Sequence, residues 1–421
     1  MKFSELSLDT LLQAEPGALY EQALRLRHGD GVATDWHTAR RMFGFLALAA
    51  HSASRYQLGV MNLRGEAGIK NPVCALMWFR LAHGPDEPRA ASQITMLSEE
   101  LTAIDTRRAL RMMAQSEKSV ELFMAARQNE STESTESTES TQAMALLGAQ
   151  LLSGVGVEQD EAIAVQWLQR AVTRNHPYAQ LTLGMAYATG RGVRKNISTA
   201  VHLLELSSKQ GLPEAHYQLA QLLEQHPKLI RSPNQARHLY ESAADHGHVL
   251  AQLRLGHLLR GDWIPTTQNV LANEVTTVRH KSVSNRNKDP DLINSLAYFR
   301  LAAEQGLADA QFEVGQMYAQ GLGTLQIFEE AVHWYALSAR QGHAKAQFNL
   351  AFLYAHGQGV EQNYVKAYEW YRISHLCTYP LAKKAMELTA KKISVGEIEM
   401  ADWRADSFVY NLPTREDNHL Y

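Results

Sequence analysis

An alanine opens a unit of this chain at Ala143, Ala179, Ala215, Ala251, Ala310 and Ala346. Successive openings are 36 residues apart, except the step from Ala251 to Ala310, which is 59, and the period runs on to Ala382. Upstream, Ala18, Ser54 and Ala90 keep the same spacing. A fixed period of about 20 to 50 residues marks a repeat architecture, in which one small unit cannot bury its apolar face alone and stacks on its neighbours. Such a chain presents a long surface to something else more readily than it carries chemistry of its own.

The unit at Ala179 shows the anatomy. Ala179, Leu183, Gly184, Tyr187 and Ala188 fall at helical spacing and predict a first helix with one packed face. Gly190 and Gly192 then break it, since glycine accepts the left-handed backbone of a helix end and a tight turn. Asn196 is placed to cap a second helix, whose packed face is Ala200, Leu203, Leu204 and Ser207. Gly211 ends that helix and leads to the next unit. The turn glycines recur as Gly29/Gly31, Gly154/Gly156, Gly321/Gly323 and Gly357/Gly359. Capping residues recur as Asp35, Asn71, Asp160 and Asn363, and a second-helix aromatic as Trp78, Trp167, Tyr298, Trp334 and Trp370. The periodicity of these aromatics assigns them to the core rather than to a ligand box.

The string running from Ala346 (AQFNLAFLYAHGQGVEQNYVKAYEWYRIS) and its counterpart from Ala143 resemble the Sel1-like repeat, a relative of the tetratricopeptide repeat. The resemblance covers most of the chain. It implies an all-α fold, an α/α superhelical solenoid of helix-turn-helix repeats, and an adaptor or scaffold role in processes from membrane-complex assembly to signalling.

Two stretches lack the Gly-x-Gly turn, one from Ala90 and one from Ala382, and both read as terminal caps with second helices starting at Thr102–Asp105 and Ser394–Glu397. The expected organisation is therefore two capped modules. Residues 1–127 form an N-terminal module of two repeats plus cap, 128–142 an acidic Glu-Ser-Thr linker, 143–408 a module of six repeats plus cap, and 409–421 a tail. Two repeats are fewer than a free-standing array needs, so the first module is expected to lean on the second. An insertion at about 262–289 interrupts the unit at Ala251, and the unit at Ala215 replaces its turn with residues 224–234.

A net charge of −3 argues against a nucleic-acid surface, which needs clustered Lys and Arg. Cys74 and Cys377 have no CxxC context, so a reducing, cytoplasmic setting is expected, without a signal peptide or membrane span. Eighteen histidines invite a metal reading, but the densest group, His238, His246 and His248, sits at an inter-repeat turn without metal-ligand spacing. No nucleophile elbow or phosphate loop is present, so no catalytic, cofactor or metal residue is assigned.

The variable positions are the more telling ones. The third, sixth and tenth residues after the opening alanine share a first-helix face, with Thr182, Met185 and Thr189 in one unit. In tetratricopeptide-like solenoids first helices line the concave surface, so the resemblance implies a polar groove. Its expected partner-binding residues are Gln218, Gln221, Arg254, His257, Glu313, Gln316, Gln320, Asn349 and His356. The expected function is a non-enzymatic adaptor for a protein partner of unstated identity. One alternative is a hydrolase-type enzyme with a site at the module junction or under the 262–289 insertion, near Trp263 or His280. Another is a structural assembly factor of a membrane-associated complex.

Overall fold

The structure is a computed structural model that describes residues 7–127, 138–229, 234–261 and 287–412. Among the described residues there are twenty-one α-helices and no strand, so the fold is all-α. The chain divides into two compact units, Met1–Ala215 and His216–Tyr421. The first holds α1 (Leu8–Gln13), α2 (Pro16–His28), α3 (Trp36–Leu48), α4 (Ser52–Arg64), α5 (Pro72–Ala82), α6 (Ala90–Glu100), α7 (Ala103–Arg127), α8 (Thr138–Ser153), α9 (Glu161–Thr173), α10 (Pro177–Thr189) and α11 (Ile197–Lys209). α12 (Pro213–Gln225) begins at the division. The second unit continues with α13 (Gln235–Asp245), α14 (Val249–Arg260), α15 (Pro290–Glu304), α16 (Ala308–Gln320), α17 (Phe328–Arg340), α18 (Ala344–His356), α19 (Tyr364–Leu376), α20 (Ala382–Ala390) and α21 (Val395–Tyr410).

The caps explain where the second helices start. Asp35, Asn71, Asp160, Asn196 and Asn363 each accept a hydrogen bond from a backbone N–H three residues on, at 2.9–3.2 Å. Each thereby satisfies one of the donors a helix start leaves without a partner. Ser394 and Glu397 form a reciprocal capping box at α21. First helices use a different device that the sequence reading missed. His51, His176, His248 and His343 cap α4, α10, α14 and α18 through the ring nitrogen Nδ1, which accepts from the N–H of the residue three on. Two of these rings also stack on an aromatic of the preceding repeat: His248 on Tyr217 and His343 on Phe312, both at 4.6 Å. The histidine-rich turn at 246–248 is thus a helix cap.

Neighbouring repeats are stitched by amides. Gln210 Nε2 donates to Gln180 Oε1, Gln305 to Gln252 and Gln341 to Gln311, each at 2.8 Å, with the acceptor glutamines buried. At the equivalent of the donor in the last repeat stands Cys377, and Gln347 Oε1 lacks a hydrogen-bond partner there.

Core packing corrects one sequence expectation. Trp78, Trp167 and Trp334 are buried, but Tyr298 and Trp370 are only half-buried. The deepest place belongs to the following residue, which lies against a first-helix glycine. A Cβ on Gly59, Gly148 or Gly315 would sit 2.6–2.7 Å from Phe79, Leu168 or Tyr335. Phe299 fills that place at Gly256, which leaves Tyr298 toward the rim.

In the first unit α7 has the position of a repeat's second helix toward α8. The two run antiparallel: Ser140 Oγ donates to the Ala126 carbonyl at 3.5 Å, and a Cβ on Gly156 would lie 2.7 Å from the Gln115 carbonyl carbon. Gly192 makes the same approach to Glu161 at the start of α9. Phe123 of α7 meets Phe45 on one side and Trp167 on the other, edge to face. The stretch read as a closing cap therefore carries packed repeats on both sides. Arg40 and Arg41 of α3 pair with Glu158 and Asp160 at 2.6 Å, so the N-terminal hairpins and residues 138–215 share one unit.

Of the linker expected over 128–142, residues 128–137 lie outside the described residues. Residues 138–142 form the start of α8, where Ser140 and Thr141 are buried. Most of the 262–289 insertion, including Trp263 and His280, and residues 413–421 of the tail also lie outside the described residues. The segment that does appear, 287–289, leads into α15, which Asp289 caps by accepting from the Asp291 N–H.

Candidate partner-binding surfaces

The expected polar face maps onto α12, α14, α16 and α18 of the second unit. Much of it is engaged in ion pairs between successive first helices. Arg254 of α14 reaches Glu224 of α12 at 3.0 Å, and Tyr240 donates to the same carboxylate at 2.9 Å. Burial, and then the Glu224 charge, push the Tyr240 phenol well above its ordinary range. Arg260 of α14 meets Glu313 of α16 at 2.6 Å and lies over the Phe299 ring at 5.1 Å. His257 Nε2 stands 3.9 Å from the other Glu313 oxygen, and Gln316 accepts from Arg260 at 3.5 Å.

Asn349 of α18 is hydrogen-bonded to Tyr335, whose phenol burial pushes up. Gln218 and Gln221 are half-buried on α12, while Gln320 and His356 are exposed, with His356 stacked on Phe352 at 4.0 Å. Arg254, His257, Glu313 and Gln316 therefore bind one another or their neighbours.

Arg260 is almost fully buried by side chain, so removing its anion strands a charge. Glu313→Ala is expected to cost the second unit about 2–3 kcal/mol. Gln320→Ala, on an exposed side chain, is expected to stay within about 0.5 kcal/mol. Thermal melts of the two variants check this; equal melting temperatures would refute the structural role given to Glu313.

The corresponding face of the first unit is different. Here α7, α8 and α10 surround a cleft of about 1000 Å³. Its floor is α8, with Leu146, Ala149 and Ser153, and its walls are α7 with Leu122 and Ala125 and α10 with Tyr178 and Met185. Leu146, Ala149 and Ser153 are the third, sixth and tenth residues after Ala143, and Met185 is the sixth after Ala179. These positions correspond in the repeat to those that carry the polar face in the second unit. The α7 wall carried no such signal, because α7 lacks the repeat motif. Lys118, Glu121 and Arg191 stand among the lining residues.

A second cleft, of about 510 Å³, lies where the N-terminal hairpins meet the 154–159 turn. Arg40 and Arg41 line it, already paired with Glu158 and Asp160. Its one thiol, Cys74, is pushed up by burial and by Glu158, the reverse of what activates a nucleophilic cysteine. Among the described residues no group of three or more His, Cys, Asp or Glu is placed to hold a metal ion.

No helix of the described residues is long and apolar enough to cross a membrane. No curated protein matches this chain. Among solved structures, a protective antigen of uropathogenic Escherichia coli with an SLR fold is 22% identical, over 98% of this chain and 87% of its own, with a TM-score of 0.42. A Sel1 repeat protein from Oxalobacter formigenes is 20% identical over 90% and 88%, with a TM-score of 0.47. An immunity protein from Pseudomonas aeruginosa is 19% identical over 65% and 88%, with a TM-score of 0.32. The model of the Sel1 repeat matches residues 52–82, 141–176, 177–212, 213–248, 287–307, 308–343 and 344–374, more than half of the chain. With the paired helices, capped turns and stacked repeats these segments form, the chain belongs to the Sel1 repeat family.

Proposed function

We propose that this chain is a non-enzymatic scaffold that binds a partner protein through its first-helix face, with the apolar cleft of the first unit as the principal contact. Sel1 repeat proteins are generally protein-interaction scaffolds and typically non-enzymatic. The observation that carries the reading is the cleft itself. Leu122, Leu146, Tyr178 and Met185 converge on one concave opening, and a concave apolar site with a few polar groups at its edge is the usual form of a recognition site. Gln221, Gln320 and His356 of the second unit supply side chains for additional hydrogen bonds, and a reducing, cytoplasmic setting suits the unpaired Cys74 and Cys377.

Leu146→Glu combined with Met185→Glu places two charges in the cleft at half-buried positions. The double variant is expected to lose, in affinity capture followed by mass spectrometry, the proteins that the unaltered chain retains, with its circular dichroism and melting temperature nearly unchanged. Recovery of the same proteins by the double variant would reject the cleft as the contact.

A further inference from the structure

We infer that the outer face of α21 binds the same face of a second copy of this chain, the two helices lying parallel about a twofold axis. The inner face of α21 is used within the chain. Ala401 and Ala405 are buried, Phe408 meets Trp370 edge to face, and Asp402 and Asp406 both reach Arg372 at 3.3 Å. On the outer face Gly396, Met400, Trp403, Ser407 and Tyr410 follow at steps of four, three, four and three residues. Trp403 is 71% exposed, Tyr410 89% and Met400 55%, and a Cβ on Gly396 would meet nothing within 4 Å. Large apolar side chains left in water along one line of a helix mark a surface for association.

Packing within the chain does not call for this stripe. α7 opens on the same kind of cap, with Thr102 and Asp105 in the places of Ser394 and Glu397, and Ala109 is buried where Ala401 is. In that register α7 carries Arg108, Arg111 and Lys118 where α21 carries Met400, Trp403 and Tyr410. Both helices bury the same inner alanine, so the apolar outer residues of α21 serve a contact outside its own repeat.

Spacing and charge name the occupant. Steps of four and three residues are the a and d seam of two paired helices, narrower than the stripe of a helix that packs into a domain. Beside the seam stand Glu399 and Asp406 on one flank and Glu397, Arg404 and Asn411 on the other. In a parallel pair each flank meets the opposite flank five residues on. Glu399 then faces the partner's Arg404, twice by symmetry, and Asp406 faces the partner's Asn411. An antiparallel pair brings Arg404 to the partner's Glu397 but sets Glu399 beside the partner's Asp406, acid on acid. Both members of the parallel contact are available: Glu399 has no ion pair among the described residues, and Arg404 reaches Glu369 only at 3.8 Å and stays exposed. An anionic membrane is the poorer occupant. A helix that lies on one carries a basic polar face, whereas here Glu397, Glu399 and Asp406 stand against the single Arg404.

The test measures the mass of the full chain by analytical ultracentrifugation between about 5 and 300 µM, the range a small contact calls for. A monomer–dimer equilibrium is expected. Trp403→Glu is expected to weaken it at least about 10-fold, with the melting temperature of the monomer unchanged. Should that variant fail to fold, Tyr410→Glu, at a more exposed position, repeats the measurement. Glu399→Arg and Arg404→Glu are each expected to weaken the dimer by about 5-fold or more. An equimolar mixture of the two should recover it, because a mixed pair restores both contacts. Ser407→Cys, on the seam, is expected to give a disulfide-linked dimer under mild oxidation, in excess of the unaltered chain with its Cys74 and Cys377.

A monomer at every concentration would overturn the inference, and so would a dimer that Trp403→Glu and Tyr410→Glu leave at full strength. A dimer that both weaken, but whose charge variants do not recover on mixing or whose Ser407→Cys form does not cross-link, would reject the parallel arrangement. A monomer that sediments with vesicles of phosphatidylcholine and phosphatidylserine, and loses this with Trp403→Glu, would assign the stripe to a membrane surface instead. None of these outcomes bears on the cleft of the first unit, which Leu146→Glu and Met185→Glu test separately.

Discussion

Gly156→Ala and Gly192→Ala are each expected to destabilise the first unit by about 2–4 kcal/mol, whereas Gly211→Ala should cost only about 1–2 kcal/mol. All three glycines hold left-handed backbone, with φ of +73°, +68° and +84°. An alanine is strained by a similar amount at each. They differ in what a methyl group would meet. At Gly156 it would lie 2.7 Å from the backbone of Gln115, and at Gly192 it would overlap the Glu161 carbonyl, whereas at Gly211 nothing lies within 4 Å. Backbone cannot rotate away as a flexible side chain can, so the repeats must part, and overpacking adds about 1–3 kcal/mol. For a unit of this size the added cost corresponds to a further drop of about 2–12 °C in melting temperature. Circular dichroism melts of the three variants decide the matter: a common shift would mean that the second turn glycine is needed for its dihedral angle alone.

Acidification is expected to weaken the first-helix caps at His51, His176 and His343. Each imidazole accepts a backbone hydrogen bond through Nδ1, which only the neutral ring can do. Burial holds all three below the ordinary histidine value of 6.5. At His343 burial outweighs Asp309, whose carboxylate lies 3.4 Å from Nε2, and Glu313, which also favours the charged ring, while Lys345 opposes it.

A folded-state value below the unfolded one means that the unfolded chain binds more protons in acid, so stability falls as the pH is lowered. The contribution is complete above pH 6.5 and is lost as pH falls through 6.5 and past the lowered folded values. A lost cap costs about 1 kcal/mol, so the first unit, with two such caps, should lose about 2 kcal/mol and the second about 1 kcal/mol. Hydrogen exchange at the starts of α4, α10 and α18, compared between pH 7.5 and 5, reads this directly. The triple variant His51→Asn, His176→Asn and His343→Asn keeps a capping acceptor without a titrating ring and should flatten the response. An unaltered pH dependence in that variant would refute the mechanism.

Repeat anatomy was legible because its signals are local. A period of 36, an Asp or Asn before each second helix and a glycine pair at each turn report on contacts within a few residues or between equivalent positions. The capping histidines went unread, although the spacing was present: each stands three residues before an opening alanine or its equivalent Ser54. Histidine is not among the preferred capping residues, so composition gave no prompt. Tyr298 was placed in the core by its aromatic character, yet Phe299 occupies the deep site, because what selects the deep residue is the bare backbone of Gly256 facing it.

The surfaces were less legible than the fold. Glu313 looked available as a side chain on a variable helical face, but Arg260, 53 residues earlier in the chain and on another helix, neutralises it. The spacing rule that picked out Gln218 and Glu313 also identifies Leu146 and Ala149, but it is silent about α7, which has no Gly-x-Gly turn and no opening motif.

The sequence alone determined the element type, the helix boundaries at the capped turns and the repeat family, since these depend on short-range sterics, on capping groups and on a period repeated many times. Only the tertiary structure decided which charges are spent on one another, that α7 stands where a second helix would, and that three apolar helix faces form one cleft. Those outcomes depend on which distant residues stacking brings together, and the regular positions that drive the stacking are the same in nearly every repeat.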